Sequence, residues 1–273
     1  MKNFKLAAFD IDGTILPFKE GQKNSDLSPV IVDMFKKLKQ AGFITVFCSG
    51  RDIFTVGQHR LDTPNVDYFI GANGSFILDL KTNEYIFEKT IKYDDYKVFL
   101  EATNKRNLPF TFVGKRYGYF NSQFDINHWF YAPFKENFID YTEYENNQDD
   151  PNYLITVNSD DSHELREYYE NIFKKNNLDM WVLAEWTGGV FISAKGVNKA
   201  RGLEILCEKI NISLDEVIAF GDSSNDVEML SEVGLGVAMG NAEEELKSVA
   251  KDVCESVEDF GTFNYLMKKG FIK

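Results

Sequence analysis

Short apolar runs alternate with amphipathic stretches in the first third of the chain, and the same alternation returns near its end. That is the signature of βαβ units, in which parallel strands are joined by crossover helices. Leu6 to Phe9, Ile44 to Phe47 and Tyr68 to Ile70 read as strands. Between the first two, Ser28 and Pro29 occupy an N-cap and a first helical position, Ile31, Met34, Phe35 and Leu38 share one face, and Gly42 ends the segment. The later block predicts a helix from Lys199 to Ile210, a strand from Val217 to Phe220, a helix around Val227 to Ser231 and a strand from Leu235 to Ala238.

The interruption, roughly residues 83–189, has a different chemistry. Phe110, Phe112, Tyr117, Tyr119, Phe120, Trp129, Phe130, Tyr131 and Phe134 crowd one stretch, Glu164 to Phe173 reads as helix, and Glu143 to Asn152 as a polar loop. An inserted α+β domain fits this best, with residues 1–82 and 190–273 forming the parallel-sheet domain and 83–189 the insertion. A chain of 273 residues, 44% hydrophobic, has the apolar content to build both cores. The aromatic density has two readings: a stacking platform for bases or sugars, or the core of the inserted domain, which is the commoner outcome.

The formal charge of −13 repels nucleic acid and anionic membranes, and no basic run offsets it locally. The apolar stretch at the start is far too short for a signal peptide and no segment approaches a membrane span, so a cytoplasmic protein without an obligate protein partner is expected. Cys48, Cys207 and Cys254 are then expected as reduced structural thiols. Asn73-Gly74-Ser75 and Asn211-Ile212-Ser213 fit the glycosylation acceptor pattern and are taken as chance in that setting.

Four polar features fall just past expected strand ends or open an expected helix: Asp10-Ile11-Asp12-Gly13-Thr14, Ser49-Gly50-Arg51, Asn198-Lys199, and Gly221-Asp222 through Asn225-Asp226. Ligands of open parallel sheets bind outside the carboxyl ends of the strands, so most of these features meet at one edge. A calcium loop counted from Asp10 fails, because Ile15 stands at the turn-glycine position and Gly21 at the closing glutamate. Each feature alone has an ordinary reading, as a polar turn, a solvated lysine or a loop capping the next helix.

Together they carry more. Asp10, Asp12, Asp222 and Asp226 gather carboxylates whose mutual repulsion is on the order of 4 kcal/mol per pair at about 4 Å and an effective dielectric of about 20. A divalent cation offsets that cost. A few carboxylates completed by water and substrate phosphate suit Mg2+, and neither a His cluster nor paired Cys is present for zinc. The Ser49 hydroxyl, the Gly50 amide and the Lys199 ammonium suit a phosphoryl group.

In this order the motifs resemble those of the haloacid dehalogenase (HAD) superfamily, and within it the Cof-type sugar-phosphate phosphatases. Phe9 to Thr14 is similar to the first motif, Cys48 to Arg51 to the second, Gly196 to Lys199 to the third, and Phe220 to Asp226 to the fourth, while Met239-Gly240-Asn241-Ala242 matches a Cof-type segment. The resemblance implies a Rossmann-like α/β core with an inserted α+β cap between the second and third motifs. It implies Asp10 as nucleophile and Asp12 as general acid and base. Mg2+ would be held by Asp10, Asp222 and the Asp12 carbonyl, with Asp226 supporting through water. Ser49, Gly50, Lys199 and Asn225 would hold the phosphate of a small phosphorylated metabolite, a sugar phosphate by analogy, and the stretch from Leu16 to Asn24 would be a small flap.

Two positions depart from the family pattern: Ser223 stands where glycine is common, and Phe191 where an acidic residue often stands. Alternative outcomes for such a core are a phosphomutase, a sucrose- or trehalose-phosphate phosphatase, or, in a different class, a receiver-like or phosphate-sensing protein with little turnover.

Overall fold

The computed structural model describes residues 4–17, 27–57, 63 and 65–273, so most of the expected flap, residues 18–24, lies outside the described residues. The chain divides into two compact units, one made of Met1–Arg51, Val56–Phe87 and Asn198–Lys273, the other of Asp52–Thr55 and Glu88–Val197.

The first unit is built on an eight-stranded sheet. Its strands are β1 (Leu6–Phe9), β2 (Ile44–Cys48), β3 (Tyr68–Gly71), β4 (Phe76–Asp79), β5 (Glu84–Glu88), β12 (Val217–Gly221), β13 (Leu235–Ala238) and β14 (Asp252–Val253), in the order β14-β13-β12-β1-β2-β3-β4-β5. From β14 to β3 all neighbours are parallel, and β4 turns back antiparallel on β3. The central strands are buried along their whole length, as expected of parallel strands covered on both faces.

Helix α1 (Pro29–Gln40) follows its sequence signals. The Ser28 hydroxyl accepts from the Val30 amide at 3.3 Å, and Ile31, Met34, Phe35 and Leu38 are buried. Gly42, at φ +88°, takes the left-handed conformation that ends the segment. The later crossings use α4 (Lys199–Lys209), α5 (Val227–Glu232), α6 (Glu244–Val249) and α7 (Gly261–Lys268).

The second unit has a six-stranded sheet, order β10-β11-β9-β6-β7-β8, and two long helices, α2 (Tyr93–Lys105) and α3 (Ser162–Asn176). Its strands are β6 (Phe110–Val113), β7 (Gly118–Phe120), β8 (Phe138–Asp140), β9 (Leu154–Asn158), β10 (Met180–Trp186) and β11 (Gly189–Ala194). All pairings are antiparallel except the short β7/β8 pair.

The expected division at residues 83 and 189 differs from the observed one. Residues 84–87 lie in β5 of the eight-stranded sheet, and β11 pairs with β9 and β10, burying Val190, Ile192 and Ala194 in the core of the second unit. Residues 52–55, expected in the parallel-sheet domain, also join the second unit.

Only part of the aromatic stretch enters the core. Phe110, Phe112 and Tyr119 are completely buried in the core of the second unit, whereas Trp129, Phe130, Tyr131 and Phe134 are half-buried. The Phe112 ring stacks on Tyr119 at 4.5 Å between centroids and meets Tyr144 edge-on at 4.9 Å. All three cysteines are free, Cys48 and Cys207 buried and Cys254 half-buried, as reduced structural thiols should be. No helix among the described residues is long and apolar enough to cross a membrane. Phe112→Ala is expected to cost about 3–5 kcal/mol of the stability of the second unit, measured from the shift of its unfolding midpoint in urea.

Candidate active site

Because β1 and β12 are parallel neighbours in the register Phe9↔Phe220, the residues that follow them, Asp10 and Asp222, leave the sheet at the same edge, one position apart. The Asp10 amide continues the ladder by donating to the Phe220 carbonyl at 3.0 Å. Lys199 is the first residue of α4, whose N-cap, Asn198, accepts from the Arg201 amide at 2.7 Å. From there its ammonium reaches Asp10 Oδ1 and Asp226 Oδ1, each at 2.7 Å. Asp10, Lys199 and Asp226 are 5%, 1% and 0% exposed, so this ionic group is inside the protein. One oxygen each of Asp10, Asp222 and Asp226 lies within 4.8 Å of the others, a grouping able to hold a metal ion.

The carboxylates are fixed by different partners. Asp226 Oδ1 is occupied by Lys199, and its Oδ2 accepts from the amides of Asp222 and Ser223 at 3.1 and 3.2 Å, so it braces the loop that carries Asp222. Gly221 permits this approach, since a Cβ there would lie 2.5 Å from the Asp226 carboxyl carbon. Asp222 Oδ1 accepts from the Thr14 hydroxyl at 3.1 Å, and the first loop, with Gly13 at φ +80°, lies directly against that carboxylate. The Gly13 carbonyl is held in turn by Asn241 Nδ2 at 2.9 Å. Lys199 takes one oxygen of Asp10 and Thr14 one of Asp222.

Asp12 has a different partner from the other acids. Arg51 grips it with two parallel bonds, Nε to Oδ2 and Nη2 to Oδ1, both 2.7 Å. Ser49 is buried and its hydroxyl accepts from the Arg51 amide at 3.2 Å, while Asn225 donates to Asn73 Oδ1 at 2.9 Å. The structure therefore gathers Asp10, Lys199, Asp222 and Asp226 into one cluster, with Asp12 turned to Arg51 and Asn225 to Asn73. Sequence reasoning gave Arg51, Thr14, Asn73 and Asn241 no role. For Arg51 its place beside Ser49-Gly50 was a usable signal, whereas nothing marked the long-range partners of the other three.

The two departures from the family pattern are accommodated. Ser223 has φ −127° and ψ 171°, ordinary extended backbone that does not need glycine. Phe191 lies in β11 of the second unit, where its ring stacks on Trp186 at 4.4 Å.

Burial dominates the electrostatics. It raises the Asp10 carboxyl to about 7 despite the opposing Lys199 charge, with Asp226 and Asp12 adding repulsion. Burial likewise raises Asp222 to about 8, reinforced by Asp10 and Asp226. Burial works against the Lys199 charge, but Asp10 and Asp226 together outweigh it and leave its pKa raised. The lysine thus stays charged at neutral pH, while two of its acidic neighbours hold protons more tightly than free carboxyls do.

A family model of haloacid dehalogenase-like hydrolases matches residues 7–266, and the chain belongs to that family. It is an enzyme of the phosphatase kind. A 5-amino-6-(5-phospho-D-ribitylamino)uracil phosphatase of Bacillus subtilis is 28% identical, over 94% of this chain and 92% of its own. Two solved structures share the fold. A superfamily phosphatase of Bacteroides thetaiotaomicron has a TM-score of 0.80 at 23% identity, covering 98% of this chain and 96% of that one. A subclass IIB sugar phosphatase has a TM-score of 0.81 at 21% identity, covering 98% and 100%. The expected α/β fold is the one these structures share.

A carboxyl whose pKa is higher folded than unfolded binds its proton better in the native state, so stability present at low pH is lost as pH rises from about 4 through the folded values. For Asp10 and Asp222 that window closes at about 7 and about 8. In the presence of a chelator, Asp222→Asn should therefore raise the melting temperature more at about pH 8 than at about pH 5. Thermal unfolding at the two pH values checks this, and an equal gain at both would contradict it.

Proposed function

We propose that this protein is a Mg2+-dependent phosphatase that hydrolyses small phosphorylated metabolites, sugar phosphates among them, through an aspartyl-phosphate on Asp10. The observation that carries the reading is the buried Lys199 bridging Asp10 and Asp226, with Asp222 alongside. Such a site combines a nucleophilic carboxylate with a fixed positive charge for the phosphoryl oxygens, as a loose phosphoryl-transfer transition state requires. The sugar phosphatase among the structural neighbours and the ribitylamino-uracil phosphatase among the relatives support the substrate class.

In this reading a carboxylate oxygen of Asp10 attacks phosphorus. Asp12 gives its proton to the leaving oxygen and then takes one from the water that releases phosphate. To do so it turns from Arg51, whose guanidinium otherwise holds both its oxygens. Ser49, the Gly50 amide, Lys199 and Asn225 hold the phosphate, and Asp226 keeps Lys199 and the Asp222 loop in place. Asp10, Asp222 and the Asp12 carbonyl would hold Mg2+, and the raised pKa values of the first two fit a site that accepts positive charge. When bound, the ion supplies neutralisation of the carboxylates and of the phosphoryl oxygens. A small phosphorylated metabolite as substrate fits a cytoplasmic setting.

Phosphate release from a panel of phosphate esters, with Mg2+ and with chelator, tests the reading. Activity should require Mg2+, Asp10→Asn should lose more than about a thousandfold in kcat, and acid-quenched digests of the wild type should contain a phosphorylated Asp10 peptide. Full Mg2+-dependent turnover by Asp10→Asn would overturn it.

A further inference from the structure

After β3 the chain turns through three consecutive left-handed residues, Ala72 at φ 48°, Asn73 at φ 55° and Gly74 at φ 102°. The left-handed region is disfavoured for alanine, so the surrounding structure must hold this turn in place. It is held from two sides. The Ala72 and Asn73 amides donate to the carbonyls of Arg51 and Ser49, at 2.8 and 3.0 Å. Gly74 lies against the Asn198 carbonyl so closely that a Cβ would come within 2.2 Å of it. The turn is therefore anchored to the loops that carry Ser49 and Lys199.

Its side chain reaches a third loop. Asn73 is completely buried, and its Oδ1 accepts from Asn225 Nδ2 at 2.9 Å. Gly50 packs on the same amide: a Cβ at Gly50 would lie 3.3 Å from both Asn73 Nδ2 and Oδ1. Asn73 Nδ2 is buried without a hydrogen-bond partner among the described residues.

We infer that Asn73 is a positioning residue for phosphate binding, acting by fixing the amide of Asn225 against the Ser49-Gly50 loop. One hydrogen of Asn225 Nδ2 is committed to Asn73 Oδ1, which sets the plane of the amide and leaves the other hydrogen for an incoming oxygen. This rests on the phosphatase reading above, in which Asn225 and Gly50 face the phosphate. The Asn73-Gly74-Ser75 sequence, a chance match to a glycosylation acceptor, has its function inside the protein instead.

The test is a double-mutant cycle of Asn73→Gly, which tolerates the left-handed backbone, and Asn225→Ala. Hydrolysis of p-nitrophenyl phosphate with Mg2+ and calorimetric binding of inorganic phosphate are read for all four proteins. Asn73→Gly should raise KM and weaken phosphate binding about tenfold, the loss of one charge-assisted hydrogen bond, with a smaller change in kcat. In the Asn225→Ala background it should change either quantity by less than about twofold. Additive effects, or a lowered melting temperature with KM and phosphate affinity unchanged, would overturn the proposal.

If the wild type binds phosphate without hydrolysing the ester, the phosphatase reading fails and the binding cycle still decides the role of Asn73. If it neither binds nor hydrolyses, both fall. Should Asn73→Gly not fold, Asn73→Ser takes its place with the same expectations, and failure of both to fold would show a purely structural side chain.

Discussion

The buried ammonium of Lys199 is the constraint on which the site depends. It joins Asp10 and Asp226, 189 and 27 residues away in sequence, at 2.7 Å each. Such a group is a poor device for stability alone, because taking each ion out of water costs several kcal/mol and well-packed apolar residues often do as well. It persists only where every partner is placed by something rigid. Here β1 and β12 set Asp10 and Asp222 at the same edge, the N-terminus of α4 delivers Lys199, and two backbone amides fix Asp226.

The acids divide their work according to where their oxygens are committed. Asp226 spends both, one on Lys199 and the other on the amides of residues 222 and 223, so it is an architectural group. Asp10 and Asp222 commit one oxygen each, to Lys199 and to Thr14, and these are the two whose pKa values are raised to about 7 and about 8. Asp12, on the same loop as Asp10, is provided with its own counter-ion in Arg51, and its side chain is 25% exposed where Arg51 is buried. One short loop thus carries two carboxylates in different surroundings, the usual way for neighbouring acids to take different roles.

Much of this was legible in the sequence because it depends on local signals. The strand Leu6–Phe9, the Ser28-Pro29 start of α1 and the strand Leu235–Ala238 follow from apolar runs and capping residues. The carboxyl-edge rule then brings the polar features together. The long-range partners were not legible. Nothing near Asn73 in sequence points to Asn225, 152 residues away, and nothing near Asn241 points to the Gly13 carbonyl. The boundary at residue 189 was misplaced because an apolar strand reads alike in either sheet. The pairing of β11 with β10 and with β9, Val190 and Ile192 meeting Val157 and Ile155, assigns it to the second unit. The absence of glycine at residue 223 imposes no constraint, because its backbone angles are ones serine adopts freely.

The cluster also explains why a cation suits it. Three carboxylates and one ammonium leave two negative charges in excess when all are ionised, and two carboxyls, Asp10 and Asp222, have raised pKa values. Protons are therefore the default means of balancing the site, and they compete with a divalent cation for the same oxygens. In the proposed phosphatase reading, a cation held there would favour the ionised form of Asp10, the form a nucleophile needs. Burial thus makes the uncompensated acids hold protons, and by the same desolvation it would strengthen their attraction for a divalent cation in the proposed reading.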